Sequence, residues 1–526
     1  MFQENPEMFR IVVRDIVGGF GTKTPLYPED AALVYASGKL KRNIRWRSSR
    51  SDEFHTTLHA RNQETVAEMA FDQNGKILAL RAETLANVGG YLINPGMFIP
   101  LRLSPSVISS MYHLPAVFLS TRCVMTNTAP LGAFRGAGRP EGIYLTERLM
   151  DQAAREMNID PAELRRRNMV KSEQMPYNTP MDESIDSGQF EKVLNEALNH
   201  SNWNGFKKRR EQSRKSGKLR GRGLGCHIEW TGSELNETVT ITADSSGMIT
   251  LYSGTQPMGQ GIATSYLQIF SEQLQIPVNQ LKVVQGDTDL VEGHGSVGSR
   301  SLFVGGNAIL RGIEDFLEEC MQLAASELEA SVEDLEYHQG NFQVKGTRVG
   351  IGIFDLCSRQ SDNSISVKRK KELTGRSWPN GCHVAEVEID AETGEVRLDR
   401  YVSVDDVGNT VNPMIVHGQV QGGIASGLGQ AVLERTEYDA SGQLLSGSYM
   451  DYALPRADDM PSLSGSLFEK APCLTNPLGA KGTGEIGAVA GPPAIVHAVI
   501  DALAEKGITQ VDMPLQPQKI WECLNR

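Results

Sequence analysis

The sequence has no CxxC pair, no excess of positive charge and no uninterrupted apolar run of membrane-spanning length. Its seven cysteines, Cys123, Cys226, Cys320, Cys357, Cys382, Cys473 and Cys523, are scattered and odd in number. That pattern argues against a disulfide framework and against a local zinc or iron–sulfur motif, and it suits a reducing compartment. The N-terminal MFQENPEMFR lacks signal-peptide architecture. A cytoplasmic protein with no membrane partner is therefore expected. A net charge of −12 speaks against a general nucleic-acid binder. The P-loop pattern is missing, and no GxSxG elbow supports a metal-free hydrolase.

What the chain has in excess is glycine, 52 of 526 residues, against about 7% in an average protein. In a folded chain this suggests tight turns or close backbone approaches to a ligand. Length allows several cores, and about three modules as a soft prior. An apolar strand is expected at 9–13, leading into Gly18-Gly19-Phe20-Gly21. Alternation over 65–87 predicts a hairpin around Asn74-Gly75. A helix is expected over 141–157, followed by an Asp160-Pro161 helix start. Residues 207–222 hold nine Lys or Arg in sixteen, and read most simply as a solvated linker. The domain boundary is placed there, giving 1–206, a linker at 207–222, and 223–526. Beyond it, a strand is expected at 237–243, helices at 263–274 and 307–329, a hairpin from 384–389 and 396–404, and a helix at 493–506. The mixture indicates α+β layers.

Five glycine-rich stretches stand out: GGFGTK at 18–23, AFRGAGRPE at 133–141, MGQG at 258–261, GSRS at 298–301 and KGTGE at 481–485. A looser sixth runs from Val407-Gly408 through Asn412-Pro413, His417-Gly418-Gln419 and Gly422-Gly423 to Gly429. Each alone is most simply a turn. Together they place bare N–H groups ahead of expected helices, at Gly261 and over 301–306, where phosphates bind well. Gln260, Gln419 and Gln421 can meet a heterocycle edge through their amides. Arg135 and Arg300 can hold anions in a fork. This suits a long, polar, phosphate-bearing cofactor spread along several loops.

In this order, and over nearly the whole chain, the stretches resemble the molybdenum hydroxylases of the xanthine dehydrogenase and aldehyde oxidase type. GGFGTK, TNTAPLGAFRGAGRPEG at 126–142, GQG at 259–261, GSRS, the block at 406–423 and GAKGTGEIGA at 479–488 carry the resemblance. It implies an α+β fold of two elongated mixed α/β domains, with a molybdenum–molybdopterin cofactor in the glycine-rich loops between them. The cytosine dinucleotide form is expected. The metal is held by the pterin dithiolene, so no protein metal ligands are expected.

By the same resemblance Glu485 matches the catalytic glutamate. That residue is a base beside the metal, removing a proton as water-derived oxygen passes to an electron-poor carbon. Phe20 and Gly21 match the loop over the metal, and Arg135 an arginine near metal and pterin. Gln260, Gly261, Ser299, Arg300, Ser301, Gln419, Gly422 and Gly423 match cofactor-contacting positions. Lys481 reads equally well as a surface lysine.

Xanthine-specific members carry a glutamate directly after the lysine matching Lys23, where this chain has Thr24. Their substrate arginine falls near Leu103, beside Arg102. An aldehyde or N-heteroaromatic substrate is expected. Electrons are expected to leave through an iron–sulfur subunit and usually an FAD subunit. The family's N-terminal region, with a Ser-Thr-Gln stretch whose glutamine contacts a metal oxygen, has no counterpart before Phe9. The resemblance then implies a separate chain supplying that half, or a fragment. The competing reading is a truncated, non-catalytic paralogue that keeps the fold.

Overall fold

The computed structural model describes residues 5–526. Strands β1 (Gln63–Phe71) and β2 (Ile77–Gly89) form the expected hairpin, and β3 (Val117–Met125) adds to β2 in parallel. The Asp72 carboxylate closes the turn by accepting from the N–H groups of Asn74 and Lys76, both at 2.8 Å. Helix α1 (Arg139–Glu156) packs its Ile143 and Met150 into one core with Ile77 and Leu80. Helix α2 (Pro161–Asn168) starts as expected. Asp160 accepts from the Ala162 and Glu163 N–H groups at 2.9 and 3.2 Å, and Pro161 takes the first helical position.

Two expectations fail here. Residues 9–13 form no strand beyond a single bridge of Val12 to Asp287. The basic stretch 207–222 is not a solvated linker. It is helix α3 (Phe206–Lys215) and the first half of strand β4 (Lys218–Ile228). Its arginines are drawn into the fold by acids far away in sequence. Arg220 pairs with Glu386, Glu388 and Asp399 at 2.8, 2.9 and 2.7 Å, and Arg209 pairs with Glu386. The Arg222 guanidinium lies 3.5 Å from the centre of the Trp203 ring.

A separate layer follows, built on β5 (Asn236–Asp244), β6 (Ile249–Ser253), β7 (Leu281–Gln285) and β8 (Ser364–Glu372), in the order β8-β5-β6-β7. Helices α4 (Ile262–Leu274) and α5 (Asn307–Glu327) cover it and share its core. Residues 301–306 are a π-helical turn continuous with α5 rather than a loop ahead of it.

Strands β9 (Asn380–Asp390), β10 (Val396–Asp406) and β11 (Leu463–Phe468) complete a second four-stranded sheet, β11-β10-β9-β4. Two helices pack near it, α6 (Pro413–Leu428) and α7 (Ile486–Leu503). The looser sixth glycine stretch is thus largely a helix. Helix α7 starts seven residues earlier than expected, with Glu485 at its N-cap. Prolines 492 and 493 lie inside it, where they would suggest a helix start to a local reading.

Glycine makes this packing possible. Gly221, Gly223 and Gly225 alternate along β4 and face Ala498, Ala494 and Ala490 of α7. A Cβ at Gly221 or Gly223 would overlap an α7 carbonyl oxygen. Gly423 and Gly427 of α6 meet Gly487 and Gly491 of α7, where an added Cβ would stand 2.8 and 3.0 Å from the facing Cα. The stretch Ile486–Lys506 is long and apolar enough to cross a membrane, contrary to the reading from the sequence. In its most apolar window 94% is buried inside the protein, as in a core helix. All seven cysteines are free.

Candidate active site

The start of α7 brings together loops hundreds of residues apart. The Glu485 carboxylate accepts from the Gly136 N–H at 2.8 Å, from Arg139 Nη2 at 2.5 Å and from the Ser299 hydroxyl at 2.9 Å. Its side chain is 15% exposed. Burial would raise its pKa. The Arg139 charge, the Gly136 N–H and the Ser299 hydroxyl outweigh burial and hold it below the ordinary carboxylate range. The partial positive charge of the α7 N-terminus favours the same anion. The carboxylate is thus held in the ionised state a proton acceptor needs, while the same three donors lower its basicity.

Beside it lies a second glutamate, Glu229, just past the end of β4 and fully buried. Its Oε1 sits 3.2 Å from Arg139 Nη2 and 3.0 Å from Ser299 Oγ. Burial first, and the neighbouring Glu485 charge second, push its pKa well above the usual carboxylate range. Neither Glu229 nor Arg139 was singled out from the sequence. Arg139 stood inside the AFRGAGRPE stretch, one turn beyond Arg135. Glu229 carried no local signal.

Arg135 ties the loops together. Its Nε donates to the Gly484 carbonyl and its Nη2 to the Gln419 carbonyl, both at 2.8 Å. Its backbone N–H donates to the Phe20 carbonyl at 2.9 Å, and the Phe20 ring lies 5.6 Å from its guanidinium. Phe20, half exposed with φ 47°, stands over this cluster. Gly21 has φ 115° and passes so close to the Ala133 carbonyl that a side chain there would overlap it. A Cβ at Gly422 would stand 3.2 Å from Arg135 Nη1. Phe20, Gly21, Arg135, Ser299, Gln419 and Gly422 therefore gather around Glu485.

Other expected residues do different work. Arg300 holds no free fork. Its fully buried guanidinium donates to Glu237 at 2.6 Å and to the carbonyls of Gly295, Glu234 and Asn236, so it anchors its own loop. Gln260 spends its amide locally, accepting from the Met258 N–H at 2.5 Å and donating to the Gln256 carbonyl at 2.9 Å. The Ser301 hydroxyl donates to Ser296 at 2.7 Å, and its carbonyl accepts from Tyr266. Gly423 is a helix-packing glycine. Lys481 is not on the surface: it is buried and pairs with Asp406 at 2.9 Å.

Away from the Glu485 carboxylate, open backbone on other glycine-rich loops suits an anionic, phosphate-bearing cofactor. Gly261 opens α4 with φ 75° and no side-chain cap, leaving helix N–H groups for an anion. A side chain at Gly418 would meet nothing within 4 Å, and one at Gly259 only a carbonyl at 4.0 Å. The buried Arg61, paired with Glu141 at 3.6 Å, keeps Nε and Nη1 without hydrogen-bond partners.

Comparison with known proteins agrees with this geometry. Two family models, each described as a molybdopterin cofactor-binding domain, match the chain, one over residues 1–169 and the other over 196–461. The gamma subunit of the 6-hydroxypseudooxynicotine dehydrogenase complex of Paenarthrobacter nicotinovorans is 32% identical over 522 residues, covering 96% of this chain and 66% of its own length. The carbon monoxide dehydrogenase large chain of Hydrogenophaga pseudoflava is 32% identical over 542 residues, covering 98% and 67%. The crystal structure of quinoline 2-oxidoreductase from Pseudomonas putida 86 superposes with a TM-score of 0.93 at 31% identity, covering 99% of this chain and 69% of that one. The chain thus spans about two thirds of the length of the curated relatives it matches.

Proposed function

The chain belongs to the molybdopterin cofactor-binding family of molybdenum hydroxylases, and from that premise we propose that it is the catalytic part of a multi-subunit enzyme. In this reading it places a water-derived oxygen on an N-heteroaromatic ring. The observation that carries the proposal is Glu485, ionised and only partly exposed at the meeting point of three glycine-rich loops. Bound molybdopterin, with its metal, supplies the oxidant and an acidified source of oxygen.

The chain's own residues do the rest. Glu485 accepts the proton that leaves as oxygen is transferred. Gly136, Arg139 and Ser299 keep its carboxylate in place, and their bonds are already made before reaction, so little reorganisation is needed. The Phe20–Gly21 loop covers the site on one side. The uncapped α4 N-terminus at Gly261 binds cofactor phosphate, which suits a dinucleotide form such as the cytosine one. Gln419 and Gly422 lie against Arg135 in the same cluster.

An N-heteroaromatic substrate is supported by the names of relatives: a nicotine 6-hydroxylase large subunit, 30% identical, and the quinoline enzyme. Thr24, in place of the acid of xanthine-specific members, is consistent with it. Partners are supported by the relatives being a gamma subunit and a large chain. We assign an iron–sulfur subunit and an FAD subunit as the electron route.

The test is Glu485→Gln in the protein purified with its co-expressed partners. Metal content should stay normal, and turnover should fall about 100- to 10,000-fold. Near-normal turnover would remove Glu485 from the chemistry. Normal metal content with no hydroxylation of N-heteroaromatics or aldehydes by the unaltered protein would instead support the non-catalytic paralogue.

A further inference from the structure

The hydroxyl of Ser299 touches two carboxyl groups, and it has only one proton to give. Its Oγ lies 3.0 Å from Glu229 Oε1 and 2.9 Å from Glu485 Oε2. Both distances are those of a hydrogen bond. A hydroxyl donates one such bond and accepts others. Two ionised carboxylates would have to share that single proton in a weaker three-centre bond, because neither can donate. Both contacts become full hydrogen bonds when one carboxyl carries a proton and donates it to Oγ. The Ser299 hydroxyl then donates onward to the other carboxylate.

The surroundings say which group holds the proton. Glu485 has the Gly136 N–H at 2.8 Å on one oxygen and Arg139 at 2.5 Å on the other, and it stands at the N-terminus of α7. Glu229 has Arg139 only at 3.2 Å, is 0% exposed, and its Oε2 has no hydrogen-bond partner. An ionised carboxylate with a bare, dry oxygen is costly. The neutral acid is far less so.

We propose that Glu229, Ser299 and Glu485 form a hydrogen-bonded chain in which the two carboxyl groups share one proton, held by Glu229, so that Glu485 stays ionised as the acceptor. The donor order is Glu229 O–H to Ser299 Oγ, then Ser299 O–H to Glu485 Oε2. A concerted shift of both protons along the chain would leave Glu485 neutral and Glu229 ionised, with no net change in charge. Arg139 and Gly136, which favour the anion at Glu485, oppose that shift. Two like carboxylates placed together cannot both ionise cheaply, and unequal surroundings divide their roles. Glu229 is thus a positioning residue that acts on Glu485 both through Ser299 and by direct contact of the two carboxyl groups. This rests on the reading of Glu485 as the base. The charged and titratable groups facing Glu229 are Arg139 from α1 and Glu485 at the start of α7, with the Arg135 charge acting on both glutamates.

The first measurement needs no turnover. Infrared spectra of the purified complex at neutral pH should contain the carbonyl stretch of a buried protonated carboxyl group that disappears in Glu229→Gln. An identical spectrum in that variant would show Glu229 ionised and would overturn the proposal. The second is kinetic, at equal metal content. Glu229→Leu should lower kcat at least tenfold with little change in KM. Glu229→Gln, whose amide N–H can still donate to Ser299, should recover most of that loss. Wild-type kcat should fall on the alkaline side as Glu229 ionises, and the Gln variant should lack that limb. Equal damage in the Leu and Gln variants would mean that Glu229 acts as an anion, against the proposal. Because the infrared result does not depend on chemistry at Glu485, it stands apart from the Glu485→Gln test. Near-normal turnover in Glu485→Gln with the Glu229 band present would refute the base and leave the proton assignment intact.

Discussion

Two buried ionisable clusters draw on residues only two apart in the chain, near the end of β4 and just past it, and they are built to opposite ends. Glu229, just past β4, belongs to the cluster with Arg139, Ser299 and Glu485. His227, near the end of β4, belongs to a cluster with His383 of β9 and Asp405 of β10. All three of its members are 0% exposed. His383 Nε2 lies 2.9 Å from Asp405 and its Nδ1 lies 2.8 Å from the Tyr401 hydroxyl. In register, His227 and Asp405 flank Gly381 on either side. The first cluster gathers its donors from loops near residues 136, 299 and 485 and keeps Glu485 partly open. The second takes every member from three neighbouring strands and is closed. Closure makes a charge network a matter of stability. Partial exposure makes the same chemistry available to a substrate.

The largest effect expected in the closed cluster comes from Asp405→Ala. Removing one partner of a buried pair typically costs about 3–5 kcal/mol. Denaturant unfolding should report that loss. Glu485→Gln should instead cost activity with a much smaller stability change, and equal stability losses in both variants would erase the contrast.

Acid and base should separate the clusters by sign. Burial pushes His227 from 6.5 down to about 3. Between those values the unfolded chain binds a proton that the native state refuses, so stability falls as pH falls. The slope is at most about 1.4 kcal/mol per pH unit. Glu229 is shifted upward from 4.5. Above that value the unfolded chain releases a proton that the native state keeps, so its contribution falls as pH rises. His227→Gln should remove the rise in stability between about pH 3 and 6.5, and Glu229→Gln the decline that begins above pH 4.5. Profiles unchanged by either substitution would show that these groups titrate normally.

The smallest of these effects should come from Gly381→Ala. An added Cβ would overlap the Asp405 carboxylate and stand 2.5 Å from the His227 ring. Overpacking of this kind costs about 1–3 kcal/mol. Calorimetry should show a lowered Tm, with the Glu485 site still able to take up metal. Loss of metal uptake at unchanged Tm would mean the two clusters are not independent.

Local patterns carried much of the fold. The hairpin around Asn74-Gly75, the Asp160-Pro161 helix start and the helices at 262–274 and 307–327 could be read from turn chemistry and periodicity. The misreadings share a cause. The charged stretch 207–222 reads as solvated until its distant acids are known. The glycines of α6 read as a loop until Gly487 and Gly491 are seen against them. Prolines 492 and 493 suggest a helix start that packing overrides.

By itself the sequence determined the family, the α+β class and the glycine-rich stretches from which the candidate site is assembled, because motif order and turn chemistry are local properties of the chain. Tertiary structure alone decided what each polar residue does. Arg300 and Lys481 became buried anchors because Glu237 and Asp406 fold against them. Arg139 and Glu229 became part of the site because α1 and the end of β4 converge on the start of α7. A charged side chain's role is set by which opposite charge or donor it meets when water is removed, and that partner lies tens to hundreds of residues away in the chain.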